Sequence, residues 1–130
     1  MKILQPSDWP KPKGYSNGVE SSGKIIFVAG QIGWTKDQKM CGNSIVSQTE
    51  QALINVCSVL SEANATAGQI TRMTWYVVDK QDYKKNEKEI GAVYRSVIGS
   101  HYPAMSLIEV KSLLEDDALI EIEVTAVIPD

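Results

Sequence analysis

Residues 119–128, LIEIEVTAVI, alternate with a period of two, which commits this segment to a β-strand with two unlike faces. Ile120, Ile122, Val124, Ala126 and Ile128 fall on one face, and Leu119, Glu121, Glu123, Thr125 and Val127 on the other. The first face carries nothing polar, so another layer of structure has to cover it. The run KIIFVAG at 24–30 reads as a second strand, with Ile25, Phe27 and Ala29 on one side and Ile26 and Val28 on the other. Both of its sides are apolar, which predicts a strand that is central or covered on both faces.

Two helices are available as the covering layer. Over 46–63, Val46, Leu53, Val56, Leu60 and Ala63 recur at helical spacing, with Gln48, Glu50, Gln51 and Asn55 mostly between them. Ser44 is the expected N-cap, and Asn64 to Gly68 the expected stop. A second helix is predicted over about 81–99, with a stripe of Tyr83, Ile90, Tyr94, Val97 and Ile98 and Gly99 after it. Met73–Val78 and residues 105–110 read as further strands. Residues 1–14, with Pro6, Pro10, Pro12 and Gly14, read as an extended leading segment in which Trp9 is a packing anchor. The order β, α, β, α, β, β predicts one α+β domain over 1–130, a mixed sheet with two helices packed on one face. The other face would carry Phe27, Trp75 or Tyr76, Leu107 and Val127. That face is too apolar to leave in water, so a homo-oligomer is expected.

Charge narrows the function classes. Thirteen basic against sixteen acidic residues give a net charge of −3, and the longest basic cluster is Lys84-Lys85. Nucleic-acid binders usually show clustered Lys and Arg, so no nucleic-acid partner is expected. No apolar run is long enough to span a membrane and no secretory leader is read, so no membrane partner and a cytoplasmic location are expected. Asn64-Ala65-Thr66 therefore reads as a chance glycosylation sequon. Two isolated cysteines, Cys41 and Cys57, make neither a disulfide framework nor a metal site. Cys57 is expected as a buried, inert thiol. No metal and no cofactor are expected.

The common catalytic motifs are absent. There is no glycine-rich phosphate loop, no nucleophile elbow and no histidine pair at ligand spacing. The one histidine, His101, precedes Tyr102-Pro103 and reads as a surface or turn residue. What remains is acid on a strand. Glu121 and Glu123 project from the face away from the helices, and Glu109, with Met105 and Leu107, is expected to do so from a neighbouring strand. A carboxylate on a partly closed face has to be paired, hydrogen-bonded or used. Burial would raise its pKa and fit it for moving protons. It could equally sit at a wet rim or pair with Arg72, Arg95 or Lys111, and periodicity does not choose.

Six segments together resemble the Rid family, also called YjgF or endoribonuclease L-PSP. They are GYSNGV at 14–19, IIFVAGQIG at 25–33, QTEQALINV at 48–56, TWYVVD at 74–79, YPAMSLIEV at 102–110 and ALIEIEVTAV at 118–127. The resemblance covers about 13–128. It implies a chorismate-mutase-like α+β subunit, a homotrimer and small-molecule clefts between neighbouring subunits. The best-known members hydrolyse 2-imino or 2-enamino acids to 2-keto acids and ammonia. By the resemblance, Glu121 positions the attacking water, Tyr15 shapes the cleft, and Gly30 and Gln31 form the turn whose backbone contacts substrate.

Four positions depart from the deaminating pattern. Met105 stands where the arginine clamps the substrate carboxylate, and Leu107 where a cysteine follows it. Ala29 replaces a serine before the turn, and Gly91 an asparagine contributed by the neighbouring subunit's helix. Trp34, just beyond the turn, is expected to add an aromatic wall. Methionine offers none of the two charge-assisted hydrogen bonds of an arginine fork, about 1.5–3 kcal/mol each. The usual 2-imino acids should therefore bind poorly unless Arg72, Arg95 or Lys111 reaches the cleft. Two readings stay open: a deaminase-type hydrolase with an altered substrate, and a non-catalytic binding or regulatory trimer. The nuclease activity in the family's older name would need a basic stripe that this chain lacks.

Overall fold

The computed structural model describes residues 1–130. Its strands and helices are β1 (Lys2–Leu4), β2 (Gly18–Glu20), β3 (Lys24–Gln31), α1 (Ile45–Ser61), β4 (Ile70–Val77), α2 (Lys80–Lys85), α3 (Glu87–Val97), β5 (Ala104–Glu109) and β6 (Ile120–Ile128). The main sheet has the order β3-β6-β4-β5, antiparallel except for the parallel β4–β5 pair. This is the mixed sheet expected from the segment order. No helix is long and apolar enough to cross a membrane.

The alternation of β6 is realised directly. Ile120, Ile122, Val124 and Ala126 are buried beneath the helices, together with Met73, Trp75 and Val77 of β4 and Val28 of β3. The helix α1 supplies Ile45, Ala52, Leu53, Val56 and Leu60, and α3 supplies Ile90 and Tyr94. Burying one leucine of this kind contributes about 1.5–3 kcal/mol. Ser44 caps α1, its hydroxyl accepting from the Ser47 amide at 3.1 Å. After α1, Asn64 adopts φ 57° and turns the chain toward β4, a conformation that asparagine tolerates better than most residues.

Four expectations need correction. The run at 24–30 forms an edge strand of the sheet in one chain. Only its inner side is covered, because Val28 is buried while Ile25 and Phe27 are 55% and 78% exposed. The predicted second helix is two, α2 and α3, joined at Asn86. Asn86 holds φ −111° and ψ 14°, and its amide donates to the Asp82 carbonyl at 2.8 Å, a local bond that competes with helix continuation. In the extended leading segment, where β1 pairs antiparallel with β2 in a small second sheet, Trp9 is no packing anchor but 56% exposed. Finally, Gln48 belongs to the buried side of α1 rather than its polar side. Its amide nitrogen donates to the carbonyls of Gly42 and Asp117 at 2.9 and 3.0 Å. Its amide oxygen accepts from the Leu119 amide at 2.8 Å.

Candidate functional site

The two edges of the main sheet carry different chemistry. At the β3 edge the register with β6 slips: Val28 faces Val124, but Gln31 faces Ile122. Ala29 and Gly30 therefore oppose the single residue Glu123, which is a β-bulge. The Gln31 amide donates back to the Ala29 carbonyl at 3.0 Å and folds over the bulge. The Glu121 carboxylate lies against Gly30, where a Cβ would stand 2.5 Å from Oε2 and 2.6 Å from Cδ. Glycine at position 30 is thus the space that the acid occupies.

Glu121 and Glu123 share the open face but have different surroundings. Glu123 is exposed and accepts from the Tyr76 hydroxyl at 2.7 Å. This hydrogen bond to a carboxylate is the main reason that the Tyr76 phenol titrates above its usual range. Glu123 also lines an open-face depression of about 440 Å³ with Phe27, Ala29, Arg72 and Thr125. Glu121 is half-buried, stands opposite Tyr76 in the register, and faces the bulge.

At the other edge, β5 and α3 enclose a second cavity of about 300 Å³. Trp75 and Tyr83 meet edge to face in its lining at 6.4 Å, and Tyr94 stacks on Tyr102 at 5.6 Å. Burial raises the Tyr94 phenol, and burial followed by the Glu87 charge raises that of Tyr83. Met105 and Gly91 line the same cavity with Lys13, Glu87 and Arg95. A Cβ on Gly91 would stand 3.3 Å from Arg95 Nη1, so the bare backbone leaves room for that guanidinium one helical turn on. The Trp75 Nε1–H is buried without an acceptor, a deficit of about 1–3 kcal/mol. The segment before β2 is held beside this edge by Ser16, whose amide donates to the Pro103 carbonyl at 2.9 Å and whose hydroxyl donates to the Tyr102 carbonyl.

Several sequence-derived placements change. Met73 pairs with Met105 and Trp75 with Leu107, so Met105, Leu107 and Glu109 point to the helix side, opposite Glu121. The open face carries Ser106 and Ile108 instead, with Tyr76 rather than Trp75. Glu109 is occupied at the head of α2, accepting from the Lys80 amide at 2.8 Å. Gly91 and Met105 line one cavity within the chain. Tyr15 is 41% exposed and lines a separate depression with Ile3, Pro12, Ser100 and Tyr102. Trp34 bridges to Met40 in the loop after β3, and its carbonyl accepts from Asn55 at 2.8 Å. His101 is half-buried rather than free, its Nε2 2.7 Å from the Ile70 carbonyl. Cys57 is partly buried, which pushes its thiol up. Of the three candidate cations, Arg72 lies on the open face and Arg95 in the Met105 cavity. Sequence reasoning did not single out Trp75, Tyr102 or Lys13 for the cavity, although the four-residue spacing of Gly91 and Arg95 was a readable signal.

The fold and its edges define an α+β subunit with one helix-covered sheet face, one open face, and a separate polar cluster at each sheet edge. Comparison with known proteins gives the family. The sequence profile of the endoribonuclease L-PSP family matches residues 8–128. A RutC family protein of Pyrococcus horikoshii is 35% identical over 127 residues, covering 96% of each chain. The crystal structure of a Yersinia pestis protein of the conserved Rid family matches with a TM-score of 0.87 at 32% identity, covering 98% of each chain. That of Escherichia coli TdcF with bound serine matches with a TM-score of 0.71 at 26% identity, covering 98% of this chain and 99% of the other. The chain belongs to the endoribonuclease L-PSP, or Rid, family.

Proposed function

We propose that this chain forms a homotrimer whose subunit boundaries create a small-molecule cleft, in which Glu121 positions water to hydrolyse an imine or enamine. One observation carries this reading. The Gly30–Glu121 cluster lies at the β3 edge and the Met105–Gly91 cavity at the β5 edge. Neighbouring strands run about 4.8 Å apart, so three steps separate β3 from β5 by about 14 Å. Within one chain the clusters cannot face one substrate. A neighbouring copy that sets its β3 edge against this β5 edge brings them together and covers the exposed Phe27 side. The bound serine in the Escherichia coli relative supports a ligand of small-metabolite size.

In this cleft the half-buried Glu121 carboxylate accepts a proton from water, which adds to the C=N carbon. Glu121 returns that proton to the nitrogen and then relays the adduct's hydroxyl proton to it, so that ammonia leaves and a carbonyl remains. Gly30 matters because any side chain there would displace the acid. Met105 cannot hold a carboxylate, so short 2-imino acids should be hydrolysed slowly. The same substitution favours a second reading, a trimer that binds its ligand without turnover. The experiment generates imines in situ with an amino-acid oxidase, across alkyl and aromatic side chains, and follows their decay. Acceleration by wild type and its loss in Glu121→Gln supports the hydrolase. Decay at the spontaneous rate for every imine would leave the binding reading.

A further inference from the structure

The geometry points to Arg95 as the anion anchor of the Met105 cavity, which we infer binds a small carboxylic acid with a flat, aromatic body. The inference rests on the reading that this cavity is half of the functional cleft, and it specifies the ligand. Three observations converge on it. Position 105 is an uncharged methionine, yet Arg95 lines the cavity from α3 and Lys13 from the leading segment, against the single acid Glu87. This is a local excess of positive charge in a chain whose net charge is −3. Gly91 leaves the guanidinium unobstructed, since a Cβ there would lie 3.3 Å from Nη1 and press the side chain aside by a few tenths of an ångström.

The walls select the ligand's body. Trp75, Tyr83, Tyr94 and Tyr102 offer ring faces and edges that match a planar apolar group better than a short alkyl chain. Trp75 lines the cavity, so its indole reports on an occupant. An acid group held by Arg95 is anchored from α3 rather than from β5. The acid group therefore sits differently from one held at residue 105, and a longer, flatter body fills the remaining space.

Phenylacetate and its neutral amide, phenylacetamide, are suitable probes with the intact oligomer. Binding is read by calorimetry and by the indole N–H resonance of Trp75, assigned with Trp75→Phe. Phenylacetate should bind at least tenfold more tightly than the amide and shift that resonance. Arg95→Gln should remove the preference for the acid, and Arg95→Lys should retain part of it. Oligomer mass and thermal unfolding of each variant show whether it is folded. Equal binding of acid and amide to wild type would overturn the proposal. So would acid binding that Arg95→Gln leaves unchanged while Met105→Arg or Glu121→Gln alters it, an outcome that keeps the cleft and removes this anchor. Acid binding lost in Arg95→Gln while imine turnover is absent would uphold the anchor and reject the hydrolase.

Discussion

Two glycines three residues apart, Gly30 and Gly33, show how differently one methyl group can act. At Gly30 the nearest atoms belong to the flexible end of Glu121, so a Gly30→Ala side chain swings the carboxylate away and leaves the backbone in place. At Gly33 the Cβ would stand 2.9 Å from the Cα, Cβ and Cγ of Gln48, so α1 itself must move. We expect Gly30→Ala to cost under about 1 kcal/mol of stability while abolishing whatever the Glu121 cleft does. Gly33→Ala should cost about 1–3 kcal/mol, as overpacking does. Urea unfolding of both variants measures the difference, and equal losses would show that Glu121 is as rigidly held as the helix. The family resemblance marked Gly30 as part of a turn, and Gly33 closes the same segment. The sequence did not show that one makes room for an acid and the other for a helix, because each partner is distant along the chain.

At the scale of the element, Gln48 fastens three pieces of structure to α1. It holds the loop at Gly42, the turn at Asp117 and the start of β6 at Leu119, and so fixes where β6 begins and where Glu121 falls. Helical periodicity placed Gln48 among the polar positions, since a glutamine satisfied by backbone groups looks like any solvated one. Gln48→Glu keeps the shape but sets a carboxylate oxygen against two carbonyls. It should cost about 3 kcal/mol or more, because buried acceptors are left without a donor. A loss below about 1 kcal/mol in chemical denaturation would mean that the loop and turn are fixed by other contacts. The break at Asn86 has the same origin: a side-chain bond to Asp82 ended one helix where the apolar stripe ran on.

For the whole molecule, the open face is the apolar surface that one chain leaves uncovered. Phe27 and Ile25 on β3 and Ile108 on β5 are large, apolar and exposed in the single chain. Phe27→Glu should therefore convert a trimer to monomers by burying a charge at the contact. Light scattering at micromolar concentration measures it. A monomer mass for wild type would sink the trimer and with it the shared cleft, and an unchanged trimer mass for the variant would place Phe27 outside the contact. The apolar character of this face was readable from alternation, but its membership was not. The register of β5 against β4 put Leu107 beneath the helices and Ile108 outside, and a one-residue difference reverses every side chain of a strand.

While the family resemblance alone singled out Glu121 and the turn at Gly30, local pattern determined the element types, the α+β class, the buried side of β6 and the cap at Ser44. These follow from period, capping chemistry and segment order, all of which act within a few residues. Strand order and register were decided only by the tertiary structure. They set β3 and β5 at opposite edges, turned Met105 and Leu107 away from Glu121, and brought Arg95 beside Gly91, Trp75 and Met105. Those placements depend on which distant segments pack most favourably together, and short-range periodicity carries no information about that.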